Sequence, residues 1–212
     1  MKILLIFSLM LSFLNAHPFI LTPNEKNKIK QHPEAKVIAK RFNRFYKFLH
    51  KAKKFDTNKK LIRTNLFINK IISKYDDKTN SWSTPKEFLI NGFGDCEDYA
   101  ITKYFTLQEL GIKKDKLFLA VVKVKGATDL HMVLLYDKNQ LLVLDNLSWK
   151  VMPLLKRKDL KFLFAFDDKH SYSLNNGKLI KDKKTKGETY FFKKLLEKIY
   201  STSKNRNLLS KS

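Results

Sequence analysis

Residues 91–100 read Asn-Gly-Phe-Gly-Asp-Cys-Glu-Asp-Tyr-Ala and hold the only cysteine of the chain, Cys96, where a glycine-bearing turn gives way to a helix. A lone thiol has no internal disulfide partner. At a helix N-terminus it feels the positive end of the helix dipole, which favours the nucleophilic thiolate. Downstream, His131 opens the apolar run to Tyr136, and Asp145 closes the run that starts at Gln140. A thiol, an imidazole and a carboxylate in this order make a candidate triad for acyl chemistry. His131 would take the proton of Cys96 and Asp145 would orient His131. The oxyanion formed by attack on an amide needs donors, and the backbone N–H of Cys96 is a natural one.

The acids around the thiol point the other way. Asp95, Glu97 and Asp98 crowd Cys96, and like charge opposes ionisation of a thiol. Either Asp95 is a helix N-cap and the others are solvated, or a cation neutralises them. Hard oxygen donors without a second cysteine or a histidine pair suit Ca²⁺ better than zinc, although no EF-hand spacing is present. The residues alone leave both readings open.

The elements that must position these groups follow from periodicity. Apolar residues from Val37 to Leu49 and from Leu61 to Ile72 recur at helical steps. Thr84-Pro85 starts a short helix as N-cap and first residue. The central helix is expected from about Asp95 to Leu110, with Gly111 ending it and Ala100, Tyr104, Leu107 and Leu110 as its buried stripe. Strands are then predicted over 117–124, 131–136 and 140–145, with further ones at 162–166 and 172–174, and a closing helix over 188–200. With Asp137–Asn139 as the hairpin turn, Tyr136 faces Gln140 and His131 faces Asp145 directly, as close cross-strand neighbours. Helices first, the nucleophile at the start of a central helix, and an antiparallel sheet after it make an α+β fold.

Length and composition bound the rest. The 212 residues suffice for one filled core. Lys2 and the apolar stretch Ile3–Leu14, ending at Asn15-Ala16, read as a secretory signal peptide (residues 1–16), too short to span a bilayer. The expected organisation is signal peptide, one domain over 17–200, and a basic tail over 201–212, in an exported protein with no stable membrane insertion. The net charge of +23 invites a nucleic-acid reading. Lysine is spread through nearly every segment instead of being gathered beside exposed aromatics, and solvated lysines explain the charge, so no nucleic-acid partner is expected. Trp82, Phe93 and Trp149 read as packing residues, with Trp82 and Trp149 available to wall a substrate cleft.

Trp82-Ser-Thr-Pro-Lys-Glu-Phe-Leu, Gly92-Phe-Gly-Asp-Cys-Glu-Asp-Tyr-Ala, His131-Met-Val-Leu and Val143-Leu-Asp-Asn, in that order, resemble the bacterial transglutaminase-like cysteine proteinases, the LapG-type periplasmic proteases in particular. The resemblance covers roughly residues 35–170. It implies a papain-like/transglutaminase-like α+β fold with Cys96, His131 and Asp145 as catalytic triad. It implies a calcium site beside the nucleophile, with Asp95 and Glu97 as ligands and a further one from the loop before Trp82, where Asp76 or Asp77 is nearest and Asp77 is taken. It also implies a periplasmic endopeptidase that cuts the N-terminal region of a large surface adhesin and so disperses biofilm. An inner-membrane cyclic-di-GMP receptor would sequester it. Two other functions fit the residues: an acyl transferase of transglutaminase or deamidase type on the same triad, and a non-catalytic basic binding module.

Overall fold

The computed structural model describes residues 17–71, 74–75 and 82–201. The segment read from sequence as a signal peptide (residues 1–16), the loop carrying Asp77 and the basic tail beyond Ser201 lie outside the described residues. No helix among the described residues is long and apolar enough to cross a membrane.

Helices α1 (Pro23–Lys30), α2 (Ala35–Ala52) and α3 (Thr57–Ile71) come first, followed by β1 (Lys74–Tyr75), α4 (Pro85–Asn91), β2 (Phe93–Gly94) and α5 (Cys96–Glu109). Strands β3 (Leu117–Val124), β4 (Leu130–Asp137), β5 (Leu141–Leu144), β6 (Met152–Pro153), β7 (Leu160–Phe166), β8 (Ser171–Asn175) and β9 (Lys178–Lys181) precede α6 (Gly187–Ser201). β3 to β9 form one antiparallel sheet in the order β6-β5-β4-β3-β7-β8-β9, and β1 pairs in parallel with β2. This is the expected α+β architecture. Four strands escaped sequence reading: β1, β2 and β6 are each two residues long, and β9 (Lys-Leu-Ile-Lys) is mostly exposed, so none shows a buried alternation.

The helices follow their apolar stripes. On α2, Ile38, Phe42, Phe45, Leu49 and Ala52 are buried at three- and four-residue steps. The start of α4 is fixed by a capping box: the Glu87 N–H donates to Thr84 Oγ1, the Thr84 N–H donates to Glu87 Oε2, and Pro85 occupies the first turn. Helices α3, α5 and α6 pack on one face of the sheet, backed by α1, α2 and α4, and there Leu119, Val121, Met132, Leu134 and Phe166 join the helical core. Phe118, Ala120, Val122, Val133 and Leu135 pack on the other face. β3 and β4 are therefore buried on both sides, which is why their sequences read as nearly continuous apolar runs.

Helix α5 is buried all round, not along one stripe, with every residue from Asp98 to Leu107 inside. Its polar residues are inside as well. Lys103 is fully buried, and among the described residues its Nζ has no hydrogen-bond partner, with the Tyr99 ring 5.9 Å away. Burial pushes its pKa down to about 7, against a smaller upward pull from Asp145. The unfolded chain thus holds this proton up to the ordinary lysine range while the folded chain releases it near neutrality, so stability rises with pH between those limits. Lys103→Met is expected to raise stability at neutral pH by about 1–3 kcal/mol. It should also remove that rise, as read by melting both proteins from pH 7 upward.

Candidate active site

The thiol is placed by a stack of local constraints. Gly92 ends α4 with φ 76°, a left-handed conformation that glycine adopts without penalty. Arg41 of α2 clamps the same corner, its Nη1 donating to the carbonyls of Leu89 (2.6 Å) and Ile90 (3.0 Å). Gly94 has no room for a side chain, since a Cβ would lie 2.5 Å from the Phe88 ring and 2.7 Å from Asp98 Oδ2. Asp95 then caps α5, accepting from the Asp98 N–H at 3.5 Å, and Cys96 is the first helical residue. Asp98 turns inward and accepts from the N–H (2.7 Å) and Oγ (3.2 Å) of Ser83, pinning the Trp82 segment beside the thiol.

His131 is the second residue of β4, and Asp145 follows the last residue of β5. The hairpin register differs from the sequence expectation. Asp137 pairs with Leu141 and Leu134 with Leu144, so the turn is Lys138–Gln140 and the partners shift by two. A shift of two leaves every side chain on its own face, so hydrophobic alternation cannot detect it; only the turn decides. One further step would set Asp145 across from Val133, and His131 is reached diagonally. The pair still forms: His131 Nε2 lies 2.8 Å from Asp145 Oδ1. With a carboxylate at Nε2, that nitrogen carries the proton and Nδ1 keeps its lone pair.

Asp145 is fully buried and held on every side. Oδ1 also accepts from the Leu147 N–H at 2.9 Å, and Oδ2 accepts from Arg157 Nη2 at 2.8 Å. Arg157 in turn grips Asp159 through Nε and Nη2. Burial alone would raise the Asp145 pKa, but the His131 hydrogen bond and charge, the Leu147 amide and Arg157 outweigh it and hold the carboxyl at about 2. Helix α3 fixes the loop itself: Asn69 Nδ2 donates to the carbonyls of Asp145 (2.9 Å) and Ser148 (3.2 Å), and Asn65 Nδ2 to that of Ser148 (2.8 Å). Sequence reasoning missed Arg157. The available signal was its rarity, one of five arginines among 43 basic residues, and its two-residue spacing to Asp159.

Cys96 and His131 line one cavity of about 330 Å³, walled by Trp82, Leu130, Met132 and Phe191. Trp82 packs between Phe166 and Phe191, each ring centroid 6.0 Å away. Trp149 is exposed and does not line this cavity. Glu188 and Phe191 bring α6 to the rim, a role its amphipathic pattern did not announce.

The ionisation of Cys96 departs from the helix-dipole expectation. Burial first, and then the Glu97 carboxylate, push the thiol well up, while the Met132 backbone N–H pulls the other way. The thiol donates to Glu97 Oε2 at 3.0 Å. Asp95 is pushed up to about 8 by burial, then by Glu97 and Asp98, and its carboxyl also shares a hydrogen bond with Glu97. Two acids in contact beside a thiol, neither in an ion pair among the described residues, are a donor set that suits a hard divalent cation. Among the described residues no group of three such ligands gathers, so a shell would need donors beyond these two acids. The arrangement can thus accept a thiol proton at His131, stabilise the resulting imidazolium through Asp145, and hold a reacting group in the cavity beside Trp82.

No curated protein matches the chain in sequence. Solved structures do. Calcium-bound LapG of Legionella pneumophila superposes with TM-score 0.67 at 26% identity over 84% of this chain and 99% of that one. EGTA-treated LapG of the same organism gives 0.65 at 27% identity over 80% and 95%. The pattern of the bacterial transglutaminase-like cysteine proteinases (BTLCP) matches residues 45–173, more than half the chain, and spans the thiol, imidazole and carboxylate together; the chain belongs to this family and is a cysteine peptidase.

Proposed function

We propose that this peptidase is an exported, calcium-dependent endopeptidase whose triad is Cys96, His131 and Asp145, and that it cuts the N-terminal region of a large surface adhesin. The observation that carries the reading is the shared cavity of Cys96 and His131 with His131 bonded to a buried, ionised Asp145. In the cycle, the Cys96 proton passes to His131 Nδ1 as Sγ attacks the scissile carbonyl. The Cys96 N–H donates to the oxyanion. His131 returns the proton to the departing amine, and a water molecule, deprotonated by the same nitrogen, hydrolyses the thioester.

Asp95 and Glu97 would hold the calcium ion, with Asp77 as a further candidate. When bound, the ion supplies the positive charge that offsets these acids and so favours the thiolate. The structures of LapG in calcium-bound and EGTA-treated form support this reading. Localisation in the periplasm follows from the signal peptide, and sequestration by an inner-membrane cyclic-di-GMP receptor would then control access to the adhesin and hence biofilm release.

The test is cleavage of an adhesin N-terminal fragment from the same organism, with calcium and with EGTA, by wild type and Glu97→Ala. Wild type with calcium is expected to release a new N-terminus, EGTA to abolish cleavage, and Glu97→Ala to need about tenfold more calcium or higher. Equal cleavage in EGTA would overturn the metal assignment. Ammonia release from an intact chain would reassign the enzyme to acyl transfer.

A further inference from the structure

The sequence suggests evenly scattered lysine, but the fold gathers it. Between Ala35 and Ile71 there are twelve Lys and Arg and one acid, Asp56. Helical repetition brings Arg44 and Lys51 on α2, and Lys59, Arg63 and Lys70 on α3, to the rims of a groove of about 410 Å³. None of the five forms an ion pair with a carboxylate among the described residues. The groove has an apolar floor of half-buried Phe48, Phe55 and Phe67. It shares no residue with the catalytic cavity.

We propose that this groove is an exosite that docks an acidic, amphipathic segment of the protein this peptidase cuts. Charge complementarity requires an anionic guest. The recessed aromatics require one that inserts apolar side chains, which a flat bilayer surface cannot do because the rings lie below the cationic rims. Nucleobases need free ring faces, whereas Phe48 and Phe67 are stacked on each other at 4.2 Å and 6°. From Lys59 to Lys70 the rim runs about 16 Å, which matches three turns of a helix carrying acids on its flanks and apolar residues on its inner face.

The probe is a fluorescent helical peptide of about 14 residues, with glutamates flanking a Leu/Phe stripe, titrated against full-length Cys96→Ala protein so that it is not cut. Saturable binding is expected, weakening with salt and falling about tenfold or more in Lys51→Glu/Arg63→Glu. Phe55→Ser should weaken it as well, with the fold of each variant checked by circular dichroism. In otherwise wild-type enzyme, Lys51→Glu/Arg63→Glu should leave cleavage of a short peptide spanning only the scissile bond unchanged. Equal affinity for polyglutamate, or insensitivity to the charge reversals, would overturn the proposal. So would stronger groove-dependent binding to phosphatidylglycerol vesicles or to single-stranded DNA.

Discussion

Cys96→Ser is expected to lower turnover about a millionfold, as loss of a nucleophile does elsewhere, while leaving the melting temperature nearly unchanged. The side chain is buried at the first turn of α5, with the Glu97 carboxylate and the Met132 N–H as its polar neighbours. A hydroxyl fits there and keeps both contacts, so the fold has no reason to change. The chemistry does. Burial and Glu97 already push the thiol well up, so proton transfer to His131 is the demanding step. An alcohol is a far weaker acid than a thiol, and among the described residues no lysine or arginine charge acts on this side chain to compensate. Single-turnover cleavage with excess enzyme, alongside thermal unfolding, checks both halves. Activity within a hundredfold of wild type would remove Cys96 from the nucleophile's role.

How much of this was legible beforehand depends on the range of the signal. The cap at Thr84, the left-handed turn at Gly92 and the start of α5 within a residue of its expected position are written in neighbouring residues, whereas Phe93–Gly94, expected as part of the turn, forms the short strand β2. β3 matches its expected span, and β4 and β5 lie within a residue of theirs, because apolar alternation is equally local. What spacing misjudged is what the turn decides: the two-residue register shift between β4 and β5. What it missed comes from far along the chain. Arg157 reaches Asp145 from beyond β6, Asn65 and Asn69 reach the same loop from α3, and Phe191 reaches the cavity from α6. The thiol's ionisation was misjudged for a related reason. The helix dipole is visible in sequence, but full burial of α5 is a property of the packed molecule.

Asp145→Asn carries the second large effect, a fall in kcat of about 10⁴-fold with little change in KM, by analogy with the orienting carboxylate of Ser-His-Asp enzymes. The local geometry explains why so small a change should cost so much. Oδ1 of Asp145 faces His131 Nε2 and the Leu147 N–H, while Oδ2 faces Arg157 Nη2. An asparagine with its carbonyl toward His131 sets its amide N–H₂ against the Arg157 guanidinium and removes the charge that stabilises imidazolium. In the opposite orientation an N–H confronts Nε2, the imidazole proton moves to Nδ1, and the nitrogen that must accept the thiol proton is blocked. Neither orientation is productive. Arg157→Met separates the carboxylate's charge from its mere presence. The Asp145 carboxyl is held at about 2 in the folded protein, below the ordinary aspartate value, so its contribution to stability is present above that ordinary value and is lost as pH falls toward 2. Removing Arg157 raises the folded pKa, so the acid limb of both stability and kcat should move to higher pH while activity at neutral pH is largely kept. An unmoved acid limb in Arg157→Met, or kcat within tenfold of wild type in Asp145→Asn, would show that Asp145 does not orient His131 through this network.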